Sequence, residues 1–94
     1  MVKHVVCFKF KDRKYCEKAK EILLSMKGKV PQVRKIDVNI DELKSPRSYD
    51  IILEVWVDSW EALKEYQENE YHCDTVKAYI AGIREGGVAL DYEV

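Results

Sequence analysis

The stretch Tyr49-Asp50-Ile51-Ile52-Leu53-Glu54-Val55-Trp56-Val57 decides the fold. Ile51, Leu53, Val55 and Val57 fall on one side, and Ile52, Glu54 and Trp56 on the other. Alternation of this kind, in β-branched and aromatic residues, is a strand over 49–57. Asp58-Ser59-Trp60-Glu61 follows at once and resembles a capping box, so a helix runs from there to about Glu68. A second helical segment starts near His72 or Asp74, with Val76, Tyr79, Ile80 and Ile83 as its apolar stripe. Gly86-Gly87 is expected to end it. Val88, Leu90, Tyr92 and Val94 then alternate as a last strand.

On the N-terminal side, Asp41 to Arg47 holds Pro46 and several charges and reads as a loop. Residues 33–40 form a strand, with Ile36, Val38 and Ile40 on one face. Residues 14–27 form a helix whose stripe is Cys16, Ala19, Leu23 and Met26, with Ile22 beside it. Gly28 stops it and Pro31 bars continuation. Residues 3–10 alternate, with His4, Val6, Phe8 and Phe10 on one face and Val5, Cys7 and Lys9 on the other.

The order is β-α-β-β-α-β with the second helix broken in two. This α+β pattern is the ferredoxin-like arrangement: one four-stranded antiparallel sheet with helices on one face. No linker, repeat or low-complexity run divides the chain, so residues 1–94 read as a single domain. The sheet face away from the helices carries Val5, Cys7, Ile52 and Trp56. That face is too apolar for water, and a small domain gains core by association, so a two-fold homodimer is expected.

The formal net charge is −1. This argues against nucleic acid and against an anionic membrane as partners. Lys9, Lys11, Arg13 and Lys14 are offset by Asp12 and Glu17, and read as a solvated rim. No apolar run reaches the roughly 20 residues of a bilayer span, and the N-terminus lacks the apolar centre of a signal peptide. A cytoplasmic location is the expectation. Cys7, Cys16 and Cys73 are odd in number and lack zinc spacing, so buried, reduced thiols are expected. Cys73, beside His72, is the one candidate for reactivity, which would require exposure and a lowered pKa.

Three residues carry the candidate chemistry: His4, Tyr66 and His72. A histidine on an apolar strand face, such as His4, is ordinarily a core residue whose polar atoms are satisfied. As a site residue it would be a pocket-wall donor that orients a ligand or His72. Tyr66 is either an amphipathic ring packed on the sheet or a hydroxyl donor to a carbonyl or enolate oxygen. His72 either fixes the break between two helical segments or serves as a general base near neutral pH. Trp56 and Trp60 read as interface and core anchors. Two histidines without a third ligand make no metal set, so neither a metal nor another cofactor is expected.

The opening Val2-Lys3-His4-Val5-Val6-Cys7-Phe8-Lys9-Phe10-Lys11-Asp12 resembles that of stress-responsive A/B-barrel (Dabb) proteins. The likeness continues through Val30-Pro31, Arg47-Ser48-Tyr49-Asp50-Ile51, Trp56, Ser59, Leu63, Tyr66, His72, Val76 and Asp91-Tyr92, and so spans essentially the whole chain. The resemblance implies a dimeric α/β barrel made of two four-stranded sheets, without implying one activity. It extends to olivetolic acid cyclase-type dimeric α+β barrels, which close a ring by intramolecular aldol condensation. Their tyrosine–histidine pair matches Tyr66 and His72, and their first-strand histidine matches His4. Ile51 stands where the cyclase has another pocket histidine, and Asn69-Glu70 stands where it has a His-Pro segment.

The first reading is therefore a homodimer with a pocket for a small apolar, phenolic or β-keto ligand. The second is a cofactor-independent cyclase or lyase with His72 as base, Tyr66 as electrophilic partner and His4 as orienting group. A monooxygenase-like barrel follows from fold analogy alone. A stress-associated scaffold without chemistry is the remaining alternative.

Overall fold

The computed structural model describes residues 1–94. The elements are β1 (Val2–Phe10), a single 3₁₀ turn (Arg13–Tyr15), α1 (Cys16–Leu24), β2 (Lys35–Ile40), β3 (Ile51–Val57), α2 (Trp60–Glu68), a π turn (His72–Lys77), α3 (Ala78–Ile83) and β4 (Arg84–Glu93). The four strands form one sheet in the order β2-β3-β1-β4, and every pairing is antiparallel. This is the ferredoxin-like α+β arrangement expected from the alternation patterns.

One sheet face meets the helices. Val2, Phe8 and Phe10 of β1, all four odd-numbered residues of β3, and Ile36 and Val38 of β2 are buried there. Against them pack Cys16, Ala19, Leu23 and Met26 from α1 and the turn after it, Tyr66 from α2, and Val76, Ile80 and Ile83 beyond. Every residue of the expected α1 stripe is in this core. The opposite face carries Val5, Cys7, Ile52 and Trp56, all half-buried. It continues onto β4, where Val88, Leu90 and Tyr92 stand opposite Cys7, Val5 and Lys3. Leu90 is 66% exposed.

Several boundaries differ from the sequence reading. The helix expected over 14–27 opens as a 3₁₀ turn, where Asp12 accepts from the Lys14 amide at 2.8 Å. Its α-helical part ends at Leu24, because Met26 and Lys27 bond back three residues rather than four. Gly28, at φ 86°, then turns the chain away in the left-handed region. The β2 and β3 spans are shorter at their N-terminal ends than the expected 33–40 and 49–57. Gly86-Gly87 does not end the last helix, which stops at Ile83. Both glycines lie inside β4, which bulges between Lys9 and Phe10 of β1. A β-carbon at Gly87 would stand 3.2 Å from the Cys7 carbonyl oxygen, so glycine here permits a close strand approach.

Two side-chain expectations also change. Trp60 is not a core anchor: it is exposed, and its indole N–H donates to Glu93 at 2.9 Å. Arg13 is not merely part of a solvated rim. It donates to Oδ1 of Asp50, itself fully buried, at 2.8 Å, and to the Asp41 carbonyl at 2.5 Å. The second oxygen of Asp50 accepts from the Phe10 amide at 2.7 Å. This one carboxylate therefore ties the end of β1, the 3₁₀ turn and the β2–β3 connection together.

Candidate functional site

The break between α2 and the π turn builds the site. Asn69 leaves the helical conformation, at ψ 133°. Its side-chain oxygen then accepts from the His72 amide at 3.0 Å, and its carbonyl from the Cys73 amide at 2.9 Å. Asn69 thus acts as the N-cap of the following turn, a role its short polar side chain suits. Where α2 ends, the Tyr66 carbonyl accepts from the Asn69 amide at 3.2 Å and from His72 Nδ1 at 3.0 Å. A carbonyl only accepts, so Nδ1 carries the hydrogen and the neutral ring presents Nε2 as its acceptor. Burial then pushes the pKa of His72 down to about 4, with Lys77 and His4 adding to the same effect. His72 is neutral at pH 7.

Tyr66 is fully buried beneath this ring. Its ring stacks on His72 with centroids 4.3 Å apart, and His4 meets it edge-on at 5.6 Å. The three residues named from the sequence therefore form one cluster. Their contacts differ from the expected ones in one respect. The Tyr66 hydroxyl donates weakly to Met26 Sδ at 3.7 Å, and burial pushes its pKa up. It is the main-chain carbonyl and the ring of Tyr66 that reach His72.

His4 is buried on β1. The register pairs it with Asp91 of β4, whose Oδ1 accepts from His4 Nδ1. Its Nε2 edge is what remains for a ligand. Asp91 was not singled out as a site residue from the sequence. The signal lay in the strand pairing, which sets Asp91 opposite His4, and no local spacing encodes that.

His4, Tyr66 and His72 line a cleft of about 650 Å³ between the sheet and the helices. Val6, Phe8, Leu23 and Leu53 supply part of its apolar wall, with Val76, Ile80 and Ala89. Such a cavity is within the range of small-molecule sites: mostly apolar, with a few convergent polar atoms. Cys73 lies at the edge of this region and points its Sγ at the Gln67 carbonyl, 3.3 Å away. Burial raises the pKa of Cys7 and Cys16, which keeps both as thiols. No helix is long and apolar enough to cross a membrane.

Solved structures share this architecture. A dimeric protein of unknown function with a ferredoxin-like fold, from Bacteroides fragilis, is 26% identical with a TM-score of 0.84, covering 99% of this chain and 95% of that one. A dimeric ferredoxin-like protein of unknown function from Thermobifida fusca is 19% identical with a TM-score of 0.84, covering 99% and 90%. A Dabb family protein with a ferredoxin-like fold, from Mesorhizobium loti, is 18% identical with a TM-score of 0.76, covering 99% and 95%. Nothing among the curated proteins matches the chain. The family model of the stress responsive A/B barrel domain matches residues 2–94. On that match, over nearly its full length, the chain belongs to the stress responsive A/B barrel domain family.

Proposed function

We propose that this protein is a homodimer whose two sheets pack face to face, and that each subunit binds a small, largely apolar molecule in the cleft between sheet and helices. The observation that carries the binding reading is the buried His72, held as one tautomer at the wall of a cavity of about 650 Å³. A fixed, neutral imidazole acceptor suits a ligand hydroxyl or enol. Dimerisation is supported by β4, an edge strand of ten residues with Leu90 and Val88 more than half exposed. These side chains extend the apolar sheet face of Val5, Cys7 and Ile52, and a contiguous apolar face of this kind marks an interaction surface. Relatives with this fold are described as dimeric.

Ring NMR of the protein's two histidines tests the pocket. Titration with alkyl phenols and β-keto acids is expected to move the His4 and His72 signals together for at least one compound. If both stay fixed across the panel, the cleft is not a binding site for this class.

A second reading, cyclase-like chemistry, is favoured by the fixed tautomer. In it, Nε2 of His72 takes a proton from a carbon between two carbonyls. The resulting enolate carbon attacks a distant carbonyl of the same molecule, and the new alkoxide takes the proton back from the imidazolium. The magnitude weighs against it in the free protein. A base of pKa about 4 gives up about 4 kcal/mol of proton affinity against one poised at neutrality. Binding alone needs no such proton transfer, so it is the first reading. Turnover of a β-keto chain that survives His72→Gln would remove the cyclase reading.

A further inference from the structure

We infer that the molecule bound in this cleft is an amphipathic acid, and that Arg84 holds its carboxylate; this rests on the cleft being a ligand site. Arg84 opens β4 and lines the cleft. Its guanidinium carbon lies 5.9 Å from the centroid of the Phe8 ring. A β-carbon at Gly87 would stand 3.0 Å from Arg84 Nη2 and 3.3 Å from Cζ. The guanidinium therefore rests on an aromatic face and on the bare backbone of Gly87, and a side chain at 87 would displace it. An aromatic platform beneath a planar cation leaves its N–H edges free to donate.

No protein carboxylate takes up those donors: Arg84 has no part in any of the six ion pairs. Glu85 also lines the cleft, and it too forms none of them. Lys77 adds a second cation to the lining, with its Nζ 3.4 Å from the Gln67 carbonyl. Two cations thus face one carboxylate in a mostly apolar wall. A guanidinium presents two parallel donors to a planar carboxylate, which makes Arg84 the better anchor of the two cations. The ligand's apolar body would then lie along Phe8 and Val76, toward the histidines.

Calorimetric titration of the intact protein with para-hexylbenzoate and with para-hexylbenzamide tests this. The two probes share the apolar body and differ in charge. The wild type is expected to bind the acid about tenfold more tightly than the amide, a factor typical of one charge-assisted pair. Arg84→Gln should abolish the acid's advantage over the amide, so that the two probes bind with equal affinity. Arg84→Lys, which keeps charge without the fork, should restore part of the preference. Equal binding of acid and amide by the wild type, or a preference that persists in Arg84→Gln, overturns the inference while the cleft remains a ligand site. Failure of both probes to bind the wild type removes both readings.

Discussion

His72 is a residue whose proton uptake below neutrality is changed by the fold. Its pKa falls from 6.5 to about 4 on folding. Between those two values the unfolded chain takes up a proton that the folded chain refuses. Folding is therefore opposed as pH drops from about 6.5 to 4, by about 3 kcal/mol at the end of that window, and the effect vanishes above it. Urea unfolding at pH 7.5 and at pH 4.5 should show this loss, and His72→Gln should reduce it. Tyr66 separates two roles in a second test. Tyr66→Phe keeps the ring and the carbonyl that reach His72, and removes only a weak contact to Met26. Its stability should stay within about 1 kcal/mol of the wild type, with ligand shifts at His72 retained. Loss of those shifts would return the site role to the hydroxyl. His4 was legible from the alternation of β1, and Tyr66 with His72 from their place around the helix break, but their grouping rested on the family resemblance. Arg84 and Asp91 were not legible as site residues, because their places depend on where β4 starts and how it registers on β1.

Among the elements, the connection held by Asp50 has the sharpest energetic consequence. The carboxylate is fully buried and is met by the Phe10 amide and by Arg13. Asp50→Ala strands a backbone donor and a partly exposed cation, and about 3 kcal/mol of stability should be lost. A urea midpoint measurement checks this, and a change under 1 kcal/mol would mean that water replaces the carboxylate. In the sequence Asp50 read only as part of the strand over 49–57 and of the family likeness, because neither shows that its carboxylate is buried or what meets it. The helix break was legible and its cause was not. Asn69 caps the π turn through its side chain, yet Asn69-Glu70 stood out in the sequence only as a difference from a relative. Gly86-Gly87 misled for a related reason. Paired glycines commonly stop a helix, and only the approach of Cys7 and Arg84 shows that they serve the sheet instead.

For the whole molecule, the question is what covers the second face of the sheet. Lys3 and Lys35 stand over the two sides of Trp56, at 4.8 and 4.7 Å from its ring centroid, and Lys3 pairs with Glu54 at 2.6 Å. This charged half adjoins the apolar half formed by Val5, Val88 and Leu90. Leu90→Glu should convert the proposed dimer to a folded monomer, because the side chain is exposed within one subunit and costs little there. Sedimentation velocity with circular dichroism reads both properties, and an unchanged dimer would place the interface elsewhere. The apolar character of this face was legible from strand alternation alone. Its extension along β4 was seen only in part, because the early start of that strand was hidden behind the glycines.

The two-sided character of β4 bears on how its sequence can change. Gly87, Ala89 and Asp91 stand opposite Phe8, Val6 and His4, whereas Val88, Leu90 and Tyr92 stand opposite Cys7, Val5 and Lys3. Odd and even positions are thus written in separate alphabets, and a substitution in one leaves the other readable. Losing or gaining a single residue near Gly86 is different in kind. It would exchange the two alphabets along the rest of the strand, turning Asp91 outward and Leu90 toward His4. A replacement on this strand is felt on one face only, whereas a change of length is felt on both.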